Sequence, residues 1–109
     1  MKNEAVVTKM LKYIDKIQNY SAGMTYDTFV KNEVVLEACV FNLSQLGELT
    51  NKTDSVFRNR YPEIAWNQVY GLRNRIVHDY EGVNLQLVWE IIQDDLPELK
   101  RNLQKITYD

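Results

Sequence analysis

Apolar residues recur at spacings of three and four along almost the whole 109-residue chain, a period that confines it to helices packed on one another. Val6, Val7, Met10, Leu11, Ile14 and Ile17 form a first stripe, which Ser21-Ala22-Gly23 interrupts. A second helix is predicted from Thr25 or Tyr26 to about Thr50, with Phe29, Leu36, Val40, Leu43, Leu46 and Leu49 inward. Gly47 inside it costs up to about 1 kcal/mol against alanine, which close approach of another helix would offset. Asn51-Lys52-Thr53-Asp54 reads as a turn ending in an N-cap for a short helix, Ser55 to Arg60, and Tyr61-Pro62 stops that helix. A third long helix should begin near Trp66 and continue through RNRIVHDY at 73–80, with Gly82 as its left-handed C-cap residue. The last is expected from Leu85 to Ile106, kinked by Pro97. No alternating strand pattern is present. The fold class is therefore all-α: an antiparallel bundle of four main helices plus a short one, in one domain over 1–109.

Composition excludes several functions. No apolar run approaches the roughly 18–20 residues that span a bilayer, and the charged start MKNEAVVTKMLKYIDK has no signal-peptide character. A cytoplasmic location is the expectation. Cys39 is the single cysteine and His78 the single histidine, which speaks against an internal disulfide or a zinc site in one chain. Cys39, in EACVFNL, reads as a small buried hydrophobe. The net charge of −2 disfavours indiscriminate nucleic-acid binding. The arginines are nevertheless gathered: Arg58, Arg60, Arg73 and Arg75 face only Glu63 between positions 58 and 78, 4 − 1 = +3. Guanidinium groups suit phosphate better than ammonium groups do, so a local anion-binding surface is plausible.

RNRIVHDY carries the densest chemistry. On a helical wheel Arg73 and Tyr80 would share a face, while Asn74 and His78 would form an i, i+4 pair. Val69, Leu72 and Ile76 would supply the core stripe. A last-turn His78 would be held toward its charged form by the helix dipole, near the range where proton transfer is feasible. An arginine for phosphate and a proton-transfer group are the minimum for metal-free RNA cleavage through the substrate's own 2′-OH. On pattern alone, a helical histidine beside an arginine is more often structural or simply exposed.

The spacing R-x-x-x-x-H-x-Y, here Arg73, His78 and Tyr80, resembles the signature of the HepT toxins of the HEPN domain family. NLSQLGEL at 42–49, YPEIAWNQVYGLRNRIVHDY at 61–80 and LVWEIIQDDLPELKRNL at 87–103 are similar to family blocks, so the resemblance runs from about residue 5 to 106. It implies an all-α, two-fold homodimer acting as a metal-independent endoribonuclease, with no cofactor and with the motifs of two protomers facing one cleft. It implies a partner too, an MntA nucleotidyltransferase antitoxin that adds AMP to the motif tyrosine. Carried over, Arg73 would polarise the scissile phosphate, His78 would act as general base or acid, and Tyr80 would accept AMP. Asn74 and Arg75 would position substrate. Ala65, where many relatives have proline, and Phe41, where arginine is frequent, depart from the pattern.

Other readings compete. The same residues could hold a nucleotide for a separate nucleotidyltransferase without cleaving RNA, or the chain could be a structural helical dimer. Trp66 and Trp89 fit core or dimer contacts better than base stacking. Glu48 could pair with Arg73 or Arg75, Asp79 and Glu81 could tune His78, Asp94-Asp95 resembles a solvated face, and Arg58 and Arg60 could touch phosphate.

Overall fold

The computed structural model describes residues 2–78 and 82–108, excluding the side chain of His78. Helix α1 spans Lys2–Ser21 and buries Val6, Val7, Met10, Ile14 and Ile17, while Leu11 stays half-exposed at the margin of the stripe. Its main packing partner is α3, Glu33–Thr50, which buries Cys39, Leu43, Leu46 and Leu49. The extents of 45 × 30 × 19 Å make the molecule about two helices thick, since one helix with side chains is about 10–12 Å across. Among the described residues no helix is long and apolar enough to cross a membrane.

The second helix of the sequence reading is two helices. Thr25 caps α2, Tyr26–Lys31, through a reciprocal capping box with Thr28. Asn32 then adopts an extended conformation, and its side chain accepts from the Val35 N–H at 3.0 Å to start α3. An asparagine that satisfies a free N–H locally competes with continued helix, and here it wins. The next turn follows expectation: Asp54 accepts from the Phe57 N–H at 2.8 Å and opens α4, Ser55–Asn59.

The third helix departs further. It consists of α5, Trp66–Tyr70, and α6, Leu72–Ile76, which meet at Gly71. The helix ends at Ile76 instead of continuing through residue 80. Val77 is extended, and Val77–His78 (β1) pairs antiparallel with Gly82–Val83 (β2), Val77 opposite Val83 and His78 opposite Gly82. Gly82 does take a positive φ of 82°, but in this small hairpin and not as a helix cap. The Asn84 N–H donates to the Ile76 carbonyl at 2.7 Å and closes the base of the hairpin. Asn84 then caps α7, Leu85–Glu90, by accepting from the Leu87 N–H. The all-α reading holds for the bulk of the chain, with this two-stranded ladder as the exception.

The last helical stretch reaches Gln104, two residues short of the expected Ile106. It changes pitch over Ile91–Asp95, a π turn in which the Leu96 N–H reaches back to the Ile91 carbonyl. Helix α8, Leu96–Gln104, follows with Pro97 in its first turn, where a missing N–H costs least. The proline is thus accommodated by a widened turn just before it.

Candidate active site

The turn that carries Arg73 is positioned from behind by α3. Gly47 lies so close to α5 that a methyl group there would come within 2.8 Å of the Val69 carbonyl oxygen and 3.2 Å of that of Tyr70. The close approach expected of Gly47 therefore exists, and the helix that approaches leads into the candidate site. Leu72 and Ile76 bury the inner face of α6, leaving Arg73 and Asn74 exposed side by side.

Arg75 occupies a different place. It is half-buried and lines a cleft between α5–α6 and the π turn and α8, a cleft it shares with Asp95. Asp94 and Asp95 are both exposed, as a solvated face requires, and Asp95 also borders this cleft; partial burial pushes its carboxyl above the ordinary range while Arg75 opposes that shift. Of the three cationic or amide residues in RNRI, two face open solvent and one faces the protein.

The wheel relating Arg73, Asn74, His78 and Tyr80 does not apply, because α6 stops at Ile76. His78 stands two residues beyond the helix end, in β1, so the last-turn dipole argument fails for it. What joins Arg73 to position 78 is one helical turn followed by extended backbone. Asp79, Tyr80 and Glu81 lie outside the described residues, as does every expectation placed on them.

Among the outlying candidates, Arg58 and the two tryptophans have structural contacts. Arg58 donates through Nη1 to the Thr50 carbonyl (3.3 Å), to the Thr53 hydroxyl (2.9 Å) and to the Thr53 carbonyl. It thus satisfies carbonyls at the end of α3, work that a phosphate ligand would disrupt. Arg60 is exposed. Trp66 is buried, and its Nε1 donates to the carbonyls of Arg58 and Tyr61, each at 3.1 Å. Trp89 packs on Phe29 with ring centroids 5.2 Å apart. Glu48 is exposed, and no ion pair among the described residues joins it to Arg73 or Arg75. Sequence reasoning missed the Arg75–Asp95 cleft, because the two positions are twenty residues apart and only the tertiary fold brings them to one cleft.

Residues 10–106, which include the whole of RNRIVHDY, match the family model described as ribonuclease HepT-like. The chain belongs to the HepT-like ribonuclease family. Among HepT-like relatives, an RNase-named protein of Methanocaldococcus jannaschii is 33% identical over 97% of this chain and 88% of its own length. A second RNase-named protein of that organism is 32% identical over 97% of this chain and 91% of its own. A protein of Thermococcus cleftensis named a probable ribonuclease HepT is 25% identical over 85% and 84%. No solved structure matches.

Proposed function

We propose that this chain is a metal-independent endoribonuclease, the toxin of a type VII toxin–antitoxin pair. The observation that carries the reading is the match to the HepT-like family across residues 10–106, joined to an Arg73 that is exposed to solvent. The 2′-oxygen of the substrate attacks the adjacent phosphorus as His78 takes its proton. The 5′-oxygen of the next nucleotide leaves and is protonated by a second acid. The products are a 2′,3′-cyclic phosphate and a 5′-hydroxyl. Arg73 offsets the negative charge that grows on the phosphate oxygens. Asn74 beside it and Arg75 position substrate.

One protomer offers one histidine, whereas transphosphorylation is best served by a base and an acid. A two-fold homodimer that brings two copies of the motif to one cleft supplies both. The groove formed by Leu36, Val40, Phe41, Val83 and Leu85 lies beside the hairpin that holds His78, and Phe41 is 61% exposed. These features favour a second copy in that region. An MntA-like nucleotidyltransferase would silence the toxin by transferring AMP from ATP to the Tyr80 hydroxyl with release of pyrophosphate. Bulk and negative charge near Arg73 would then exclude RNA.

Cleavage of RNA in EDTA tests the reading, with His78→Ala as control. We expect cleavage by the wild type, a cyclic phosphate end, and none by the variant with its helical spectrum unchanged. A strict need for added divalent metal would overturn the mechanism. Incubation with the partner and ATP should add one AMP to the wild type and none to Tyr80→Phe.

A further inference from the structure

The cleft that holds Arg75 has the attributes of a ligand site in its own right. It encloses about 130 Å³, on the flank of α6 that carries Arg75 and not Arg73. Its floor is apolar, built from buried Ile64, Val69, Leu72, Ile91, Leu96 and Leu99. The polar groups lie at the rim, an arrangement typical of pockets that orient a ligand by a few contacts. The volume falls below the roughly 300 Å³ at which drug-sized ligands are accommodated, so the occupant is a short chain.

Charge decides which kind. Glu63, Asp95 and Glu98 border the cleft against the one guanidinium of Arg75, three negative groups to one positive. An RNA phosphate would be repelled here, although it is attracted to Arg73 nearby. Asp95 lies at the end of the π turn, a distortion that occurs frequently at functional sites. Partial desolvation raises its carboxyl, and Asp94, Glu98 and Glu90 push the same way against the opposing Arg75. A carboxylate so placed is left with an excess of like charge that a bound cation would relieve.

We propose that this cleft binds an alkyl cation, an ammonium or guanidinium on a short aliphatic chain, with its carbons on the Leu72–Leu96–Leu99 floor and its charge against Asp95 and Glu98. A free amine and the side chain of a partner's lysine or arginine share this chemistry. The cleft shares Arg75 with the ribonuclease reading but not Arg73, and the binding test below is read without RNA.

The test uses the full-length protein and n-butylguanidinium, followed by amide chemical shifts. Saturable shifts should centre on Gln68, Leu72, Ile91 and Leu99, and neutral n-butylurea and anionic pentanoate should bind at least about tenfold more weakly, a difference of about 1.4 kcal/mol. Asp95→Asn, at an exposed position that leaves the core intact, should weaken the guanidinium by about tenfold without altering the helical spectrum, and Glu98→Gln should weaken it in the same direction. N-acetyl-arginine methylamide distinguishes the sources. Binding as tight as that of the free guanidinium assigns the cleft to a partner's side chain, and weaker binding assigns it to a free amine. Equal binding of pentanoate or n-butylurea, shifts scattered away from the cleft, or no response to n-butylguanidinium would overturn the proposal.

Discussion

The Gly47 α-carbon and the Val69 carbonyl face each other across the α3–α5 contact with no room for a methyl group between them. Alanine in an open helix interior is worth about 1 kcal/mol over glycine. At position 47 the obstacle is backbone on the opposing helix, which cannot rotate aside. Gly47→Ala should therefore destabilise the protein by about 1–3 kcal/mol, read as a lower denaturation midpoint with an unchanged slope. A gain in stability would show that α5 can retreat without cost.

Arg58 and Arg73 should separate cleanly. Arg58→Ala leaves the carbonyls of Thr50 and Thr53 without their charged donor and should cost about 1–3 kcal/mol of stability. RNA cleavage per folded molecule should be unchanged, and a drop in that specific activity at full folding would put Arg58 in the site.

Arg73 is exposed, so Arg73→Ala should leave the denaturation curve within about 0.5 kcal/mol of wild type. Its cleavage rate should fall by about 100-fold or more. Arg73→Lys should recover only part of the loss, because a point charge cannot reproduce a bidentate contact. Full activity in the alanine variant would remove Arg73 from the mechanism.

Cys39 is fully buried, and desolvation raises its thiol from 9.0 to about 11. Because the folded-state value lies above the unfolded one, the stability this thiol contributes is complete below pH 9 and is lost as pH rises toward 11. Between those limits the wild type should lose stability faster than Cys39→Ala, as followed by denaturant titration. A thiol reagent at pH 8 should label the native protein only on unfolding. Rapid labelling of the native state would contradict the burial.

Much of this was legible in the chain because it rests on local chemistry. The α1 stripe, the Asp54 cap, the core place of Trp66 and the partner demanded by Gly47 all follow from period, capping or steric need. The misses share a cause. A positive-φ glycine serves a helix cap and a hairpin equally well, so Gly82 could not reveal that Val77 turns extended. Asn32 looks like any helix-interior asparagine until its side chain is seen to take the Val35 N–H. Asp95 is solvated as its sequence context suggests, but its place at the rim of the Arg75 cleft is set by the tertiary fold. Within the candidate site, Arg73 and Asn74 were readable as neighbours; their angular relation to His78 was not, because it depended on a helix that ends early.

That early ending changes what the spacing between Arg73 and His78 measures. From Arg73 to Ile76 the chain climbs about 1.5 Å per residue, and from there to position 78 about 3.3 Å per residue. The separation is thus a reach of about 11 Å along the path, where an unbroken helix would give about 7.5 Å. One residue gained within α6 would swing Arg73 by about 100°, whereas one gained in the extended part would transfer position 78 to the other face of the ladder. Neither displacement can undo the other, so the four intervening residues form a gauge of fixed length. The pairing of His78 with Gly82 pins the far end of that gauge to the ladder, as the helix pins the near end.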